Sequence, residues 1–98
     1  MPDLLSDGEI VKALKGMDGW SHDDVYHWLF KDFSFDNFGS AVTFVNRVAE
    51  IAEEMNHHPD ILIFAYSSVK ITTTTHDANG ITNKDIALAE SIEILISG

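Results

Sequence analysis

The stretch from Asn37 to Met55 constrains the fold more than any other part of the chain. Phe38, Ala41, Val45, Val48, Ala52 and Met55, with Val42 and Ala49 beside them, recur at helical spacing. A helix of roughly five turns must therefore bury one face. Asp36 is its expected N-cap. Pro59 disfavours helical geometry at His58, so the helix has to stop at about Asn56 or His57. The flanking segments must supply the surface on which its apolar stripe lies.

Upstream, Ser6-Asp7-Gly8-Glu9 has the pattern of a capping box, with Leu5 and Ile10 spaced as a hydrophobic staple. A first helix is expected from about Asp7 to Lys15, closed by Gly16. Gly19-Trp20-Ser21-His22 follows, then an Asp23-Asp24 turn and a strand from Val25 to Phe33. Apolar groups on both parities of that strand suggest cover on both sides, with Lys31 and Asp32 where it leaves cover. Downstream, Ile61–Tyr66 and Val69–Thr75 are β-rich runs broken by Ser67-Ser68, the pattern of a hairpin. Asp77-Ala78-Asn79-Gly80 reads as a turn. Thr82-Asn83-Lys84-Asp85 resembles a second capping box, opening a last helix from about Asn83 to Ile96.

The order α-β-β-α-β-β-α predicts an α+β domain: a four-stranded antiparallel sheet with three helices packed on one face. At this length residues 1–98 are expected to form a single domain. Ile61 to Tyr66 is apolar on both parities. One row would meet water in a monomer, so another subunit is expected to cover that face or edge.

Charge removes whole classes of partner. Six Lys plus Arg against sixteen Asp plus Glu give a formal charge of −10, and the basic residues are scattered. Nucleic acid and anionic membranes are therefore poor partners. The chain has no cysteine, which excludes disulfides, thiolate metal sites and cysteine nucleophiles. Met1-Pro2-Asp3-Leu4-Leu5 does not resemble a secretory signal, and the expected compartment is the cytoplasm.

Three of the five histidines fall at element ends, where sites tend to be built: His57, His58 and His76. Histidine can both give and take a proton near neutral pH. The C-terminal end of a helix favours imidazolium at His57 and His58. Glu53, one turn before His57, is placed to stabilise the same form. Pro59 stiffens the backbone after the pair. His76 comes from a strand end elsewhere and could supply the complementary base, so an acid and a base could face one substrate. Plainer readings compete. Such histidines often cap helix carbonyls, and a zinc site is a rival, although no His-Glu-x-x-His spacing is present. His22 and His27 read as strand surface, Glu53 and Glu54 as a solvated helix face, and Trp20 and Trp28 as core. The Thr72–Thr75 run is most simply β-propensity.

Glu53-Glu54-Met55-Asn56-His57-His58-Pro59, Tyr66, Thr75-His76 and Asp85 together resemble the pterin-4a-carbinolamine dehydratase family. Gly19-Trp20, Phe33-x-Phe35-x-x-Phe38, Phe44-Val45-Asn46-Arg47-Val48-Ala49 and Gly80-Ile81-Thr82 extend the similarity over nearly the whole chain. The resemblance implies dehydration of a 4a-hydroxytetrahydropterin to the quinonoid dihydropterin, recycling the pterin of aromatic amino acid hydroxylases. It implies a homodimer or homotetramer that uses no metal or cofactor, pterin being the substrate. It places Asn56, His57, His58, Thr74, Thr75, His76 and Asp77 along the pterin pocket, with Glu53, Pro59 and Asp85 in support. The three histidines would move the protons, the acid being His57 or His58 and the base His76.

Tyr66 lies seven residues after Pro59, where many members have an aromatic residue six after. A bulge or lengthened loop is expected to absorb the extra residue and leave the pocket unaltered. Two other readings remain. One is a non-enzymatic interaction module, since animal relatives serve as dimerisation partners of a homeodomain transcription factor. The other is a role in another pterin pathway, such as molybdopterin biology.

Overall fold

The computed structural model describes residues 4–97. Helix α1 spans Asp7–Leu14, followed by strands β1 (Ser21–Asp23) and β2 (Trp28–Ser34), then helix α2 (Phe38–Met55). Strands β3 (Asp60–Phe64) and β4 (Ser68–Thr73) lead through a single 3-10 turn, His76–Ala78, to helix α3 (Asn83–Ser97). The strands form one antiparallel sheet in the order β1-β2-β4-β3. The α+β order expected from the sequence is the order observed.

The core lies between one sheet face and the helices. Leu29 and Phe33 of β2 and Val69 and Ile71 of β4 are buried there, with Ala41, Phe44, Val48 and Ala52 of α2 opposite. Helix α3 contributes Leu88, Ala89 and Ile92. Aromatic rings fill the end under α2: Phe44 packs 4.8 Å from Phe33 and 5.0 Å from Phe35, centroid to centroid. Trp20 meets Phe33 edge-on at 6.2 Å and is a core residue, as expected.

Several boundaries differ from those read in the sequence, each for a local reason. Asn37, not Asp36, caps α2; its Oδ1 accepts from the Ser40 amide at 2.8 Å. Gly16 does not close α1 in a left-handed turn; the C-cap is Lys15 in ordinary helical geometry. The left-handed glycine is Gly19, φ +88, against which the Lys31 side chain packs. Lys31 does not leave cover either, its side chain being 14% exposed. Its ammonium lies 2.8 Å from Glu93 and donates to the Asp18 carbonyl at 2.7 Å, while the strand runs on to Ser34.

The largest difference is at Val25 and Tyr26, which lie in the β1–β2 turn and not in a strand. The Asp23 carboxylate accepts from both of their amides, at 2.9 and 3.0 Å, and the His27 amide donates to the Asp23 carbonyl at 2.8 Å. That side-chain turn outcompetes the β-propensity of the run. Trp28 is consequently not core: it sits half-buried on the sheet face away from the helices and stacks on Tyr26.

The β3–β4 hairpin turns on Ala65–Ser67 and not on Ser67-Ser68, because Phe64 pairs with Ser68. Its ladder is unbroken from Asp60–Thr72 to Phe64–Ser68, so no bulge interrupts the paired residues. The turn takes the irregularity instead, with Ala65 at φ 47 and Tyr66 at φ 53. Left-handed geometry at consecutive central residues suits the twist of a hairpin, although side chains beyond Gly and Asn rarely adopt it.

Candidate active site

The site grows from the far end of the same core. Along β4 the helix-facing residues are Val69, Ile71 and Thr73, and the same parity continues to Thr75. Along α3 the buried stripe is Asp85, Leu88, Ala89 and Ile92. At one end of the sandwich, therefore, threonines and an aspartate stand where valine, isoleucine and leucine stand elsewhere. Burial there demands hydrogen bonds, and the residues supply them to one another.

Asp85 is completely buried and accepts from four donors. Thr73 donates to Oδ1 at 2.6 Å and Thr75 to Oδ2 at 2.8 Å. The Thr82 amide donates to Oδ2 at 3.0 Å, which is half of the capping box expected at α3. The fourth donor is His57 Nε2, 2.7 Å from Oδ1. The Thr75 proton is committed to Asp85, so the Thr82 hydroxyl donates to the Thr75 oxygen at 2.8 Å, while the Thr82 oxygen accepts from the Lys84 amide at 3.2 Å. The other half of the box is thus displaced from Asp85 to Lys84.

This network assigns the imidazole of His57. A carboxylate is an acceptor only, so the nitrogen facing Asp85 carries a proton and Nδ1 is the atom left for a ligand. The His57 side chain is only 10% exposed. His57 reaches this place because α2 ends abruptly: Asn56 adopts left-handed geometry at φ 52, and the His57 amide donates back to the Ala52 carbonyl at 3.1 Å.

His58 has a different partner. Its Nε2 lies 3.3 Å from Glu53 Oε2, and both side chains are exposed. Glu53 is therefore the partner of His58 and not of His57. His76 opens the 3-10 turn that follows β4, where Thr75 and Gly80 bridge the chain back on itself. Asn79 ends that turn in left-handed geometry.

A cavity of about 310 Å³ joins these segments. Asn56, His57 and His58 line it from the end of α2; Thr74, Thr75, His76 and Asp77 line it from the end of β4. Every residue expected along the pocket is there. Glu53, Pro59 and Asp85 are not in the lining; Glu53 holds His58 and Asp85 holds His57 from behind. Lys84 also lines the cavity and was not singled out in the sequence. Its signal was its position immediately before Asp85, at the start of α3. Thr82 meets Asp85 through the capping box expected there, whereas the role of Thr73 depends on strand parity meeting a helix stripe and has no local signal. Among the described residues, no three His, Asp or Glu side chains converge as metal ligands would.

The family model for pterin 4 alpha carbinolamine dehydratase matches residues 3–95. A candidate pterin-4-alpha-carbinolamine dehydratase of Thermomicrobium roseum is 46% identical over 93 residues, 95% of this chain and 97% of that protein. A protein of the same name from Sulfurisphaera tokodaii is 44% identical over 93 residues, with the same coverage. Among solved structures, a transcriptional coactivator/pterin dehydratase from Brucella melitensis superposes with a TM-score of 0.87 at 34% identity, covering 94% of this chain and 97% of that one. A pterin dehydratase-like protein described as a RuBisCO assembly factor of the alpha-carboxysome gives a TM-score of 0.67 at 25% identity, over 81% of this chain and 90% of that one. With the match running almost end to end and the histidine motif intact within it, this chain is a member of the pterin-4a-carbinolamine dehydratase family.

Proposed function

We propose that this protein dehydrates a 4a-hydroxytetrahydropterin to the quinonoid dihydropterin and water. The observation that carries the reading is the meeting of two separate chain segments around one cavity, with an imidazole on each side of it. The N5 proton leaves, and its bonding pair becomes the second bond between N5 and C4a. The C4a–O bond breaks, and the departing hydroxyl takes a proton to become water.

His58 gives the hydroxyl its proton. Its exposed ring can be recharged from solvent between turnovers, whereas the His57 ring is covered and its Nε2 is committed to Asp85. His76 takes the N5 proton, and His57 offers Nδ1 to the ring. Asn56 and Asp77 hold the heterocycle through its polar edge, and Thr74 and Thr75 face it as acceptors only, their hydroxyl protons being committed to the His27 carbonyl and to Asp85. The reaction so written uses no metal and no cofactor. Its place is the recycling of the pterin spent by an aromatic amino acid hydroxylase, in the cytoplasm. The protein works as a homodimer or homotetramer, with the outer sheet face covered by a neighbouring subunit.

Stopped-flow decay of the carbinolamine tests the assignment. Each acid–base group contributes roughly 10²–10⁴-fold in such reactions, so His58→Ala and His76→Ala should each lower turnover at least about tenfold while the fold is retained. Near-native rates in both variants contradict it.

A second reading, a protein-interaction module, draws on the likeness to the RuBisCO assembly factor. The complete histidine set favours the enzyme, since a pure binding partner has no use for a buried His57–Asp85 pair.

A further inference from the structure

The histidine cavity does not end at His76. A second cavity, of about 430 Å³, opens beside it, and Thr74 and His76 line both. The rest of its lining is Tyr26, His27, Trp28 and Asn79, none of which the dehydration uses. The register explains the adjacency. Leu29 pairs with Thr73, so Trp28 stands next to Thr74 on the face away from the helices. Thr74 is thus shared, with His58 on the α2 side and the aromatic residues on the β2 side.

This wall is built, not incidental. The Tyr26 and Trp28 rings stack with centroids 4.8 Å apart and planes 15° from parallel, although Tyr26 is 65% exposed. The turn that carries Tyr26 and leads into Trp28 is pinned by the Asp23 carboxylate and carbonyl. The Thr74 hydroxyl donates to the His27 carbonyl at 2.7 Å, tying the turn to the first cavity. His27 is left-handed, φ 60, a geometry that such bonds sustain and that clusters at binding sites.

The two cavities differ in chemistry. The first is lined by imidazoles, hydroxyls, an amide and charged groups, which suits a nitrogen-rich bicyclic ring. The second presents four rings, those of Tyr26, His27, Trp28 and His76. Its Thr74 hydroxyl already donates to a carbonyl and has no proton left for a ligand. Asp23, Asp24 and Asp77 lie in the segments around it and disfavour an anionic tail.

We infer that Tyr26 and Trp28 form a subsite for the substituent on the pterin's pyrazine ring, and that this substituent is an uncharged aromatic group. The inference rests on the reading of the first cavity as a pterin site. An aromatic contact of this kind changes affinity by about three- to tenfold.

The test compares carbinolamines carrying a 6-phenyl, a 6-methyl or a dihydroxypropyl group, each followed to decay with the full chain. The wild type should favour phenyl over methyl in kcat/KM by at least about threefold. Trp28→Ala and Tyr26→Ala, shown by circular dichroism to be folded, should each bring that ratio close to one, and Trp28→Phe should keep most of it. A ratio unmoved by both alanine variants overturns the subsite, as does a wild type that prefers the dihydroxypropyl compound. If the wild type accelerates all three equally, the subsite fails and the dehydratase reading stands. If it accelerates none, the dehydratase reading fails and takes the subsite with it.

Discussion

At the scale of single residues, the site depends on a buried carboxylate that meets only donors. Two hydroxyls, an amide and the His57 ring all point hydrogen at Asp85. Asp85→Asn keeps the shape but turns an NH₂ group toward at least one of those donors. Leaving buried polar groups unpaired costs about 1–3 kcal/mol, and each kcal/mol lowers Tm by about 4–8 °C in a chain of this size. Thermal unfolding should therefore find the variant measurably less stable, and its turnover should fall as His57 loses its fixed tautomer. An unchanged Tm would contradict the network. His57, His58 and Pro59 were legible in the sequence because Pro59 marks the helix end by itself. Thr73 was not. It reads as an ordinary strand residue until α3 places Asp85 beneath it, and that convergence is not local.

At the scale of elements, short-range chemistry transferred best. Both halves of the α1 capping box are present: the Ser6 amide donates to Glu9 at 2.9 Å, and the Glu9 amide donates to the Ser6 hydroxyl at 3.2 Å. The Ser6 backbone amide, and then its hydroxyl, hold the Glu9 carboxyl below its ordinary value of 4.5. A lowered carboxylate pKa contributes stability above its unfolded value and loses it as pH falls through the folded one. Melting of the wild type and Glu9→Ala should accordingly differ at neutral pH, and the gap should narrow as pH falls through the lowered Glu9 value. A gap undiminished in acid would contradict the cap. The β1–β2 turn shows the opposite case. Alternating Tyr26, Trp28 and Phe30 mimic a strand, but the Asp23 side chain captures the backbone two and three residues on. A period-two reading has no means of weighing that bond against the strand.

At the scale of the whole molecule, one sheet face carries the helices and the other does not. Leu62 is 54% exposed and Tyr66 69% exposed on or beside that open face, with Phe64 nearby. The alternation within β3 (Ile61 and Ile63 inward, Leu62 and Phe64 outward) is the doubly apolar pattern read in the sequence. Sedimentation at micromolar concentration should find a self-associated species, and Leu62→Asp together with Phe64→Asp should shift it toward the monomer. A wild type that is strictly monomeric would remove the proposed subunit contact. Among the described residues, no helix is long and apolar enough to cross a membrane.

The account turns on whether one flat ligand bridges the end of α2 and the end of β4. A crystal structure with a bound dihydropterin measures this directly. The account predicts the bicyclic ring within hydrogen-bond reach of His57 Nδ1, with His58 and His76 on either side of the reacting edge. A ring bound elsewhere, or touching only one of the two segments, would contradict it.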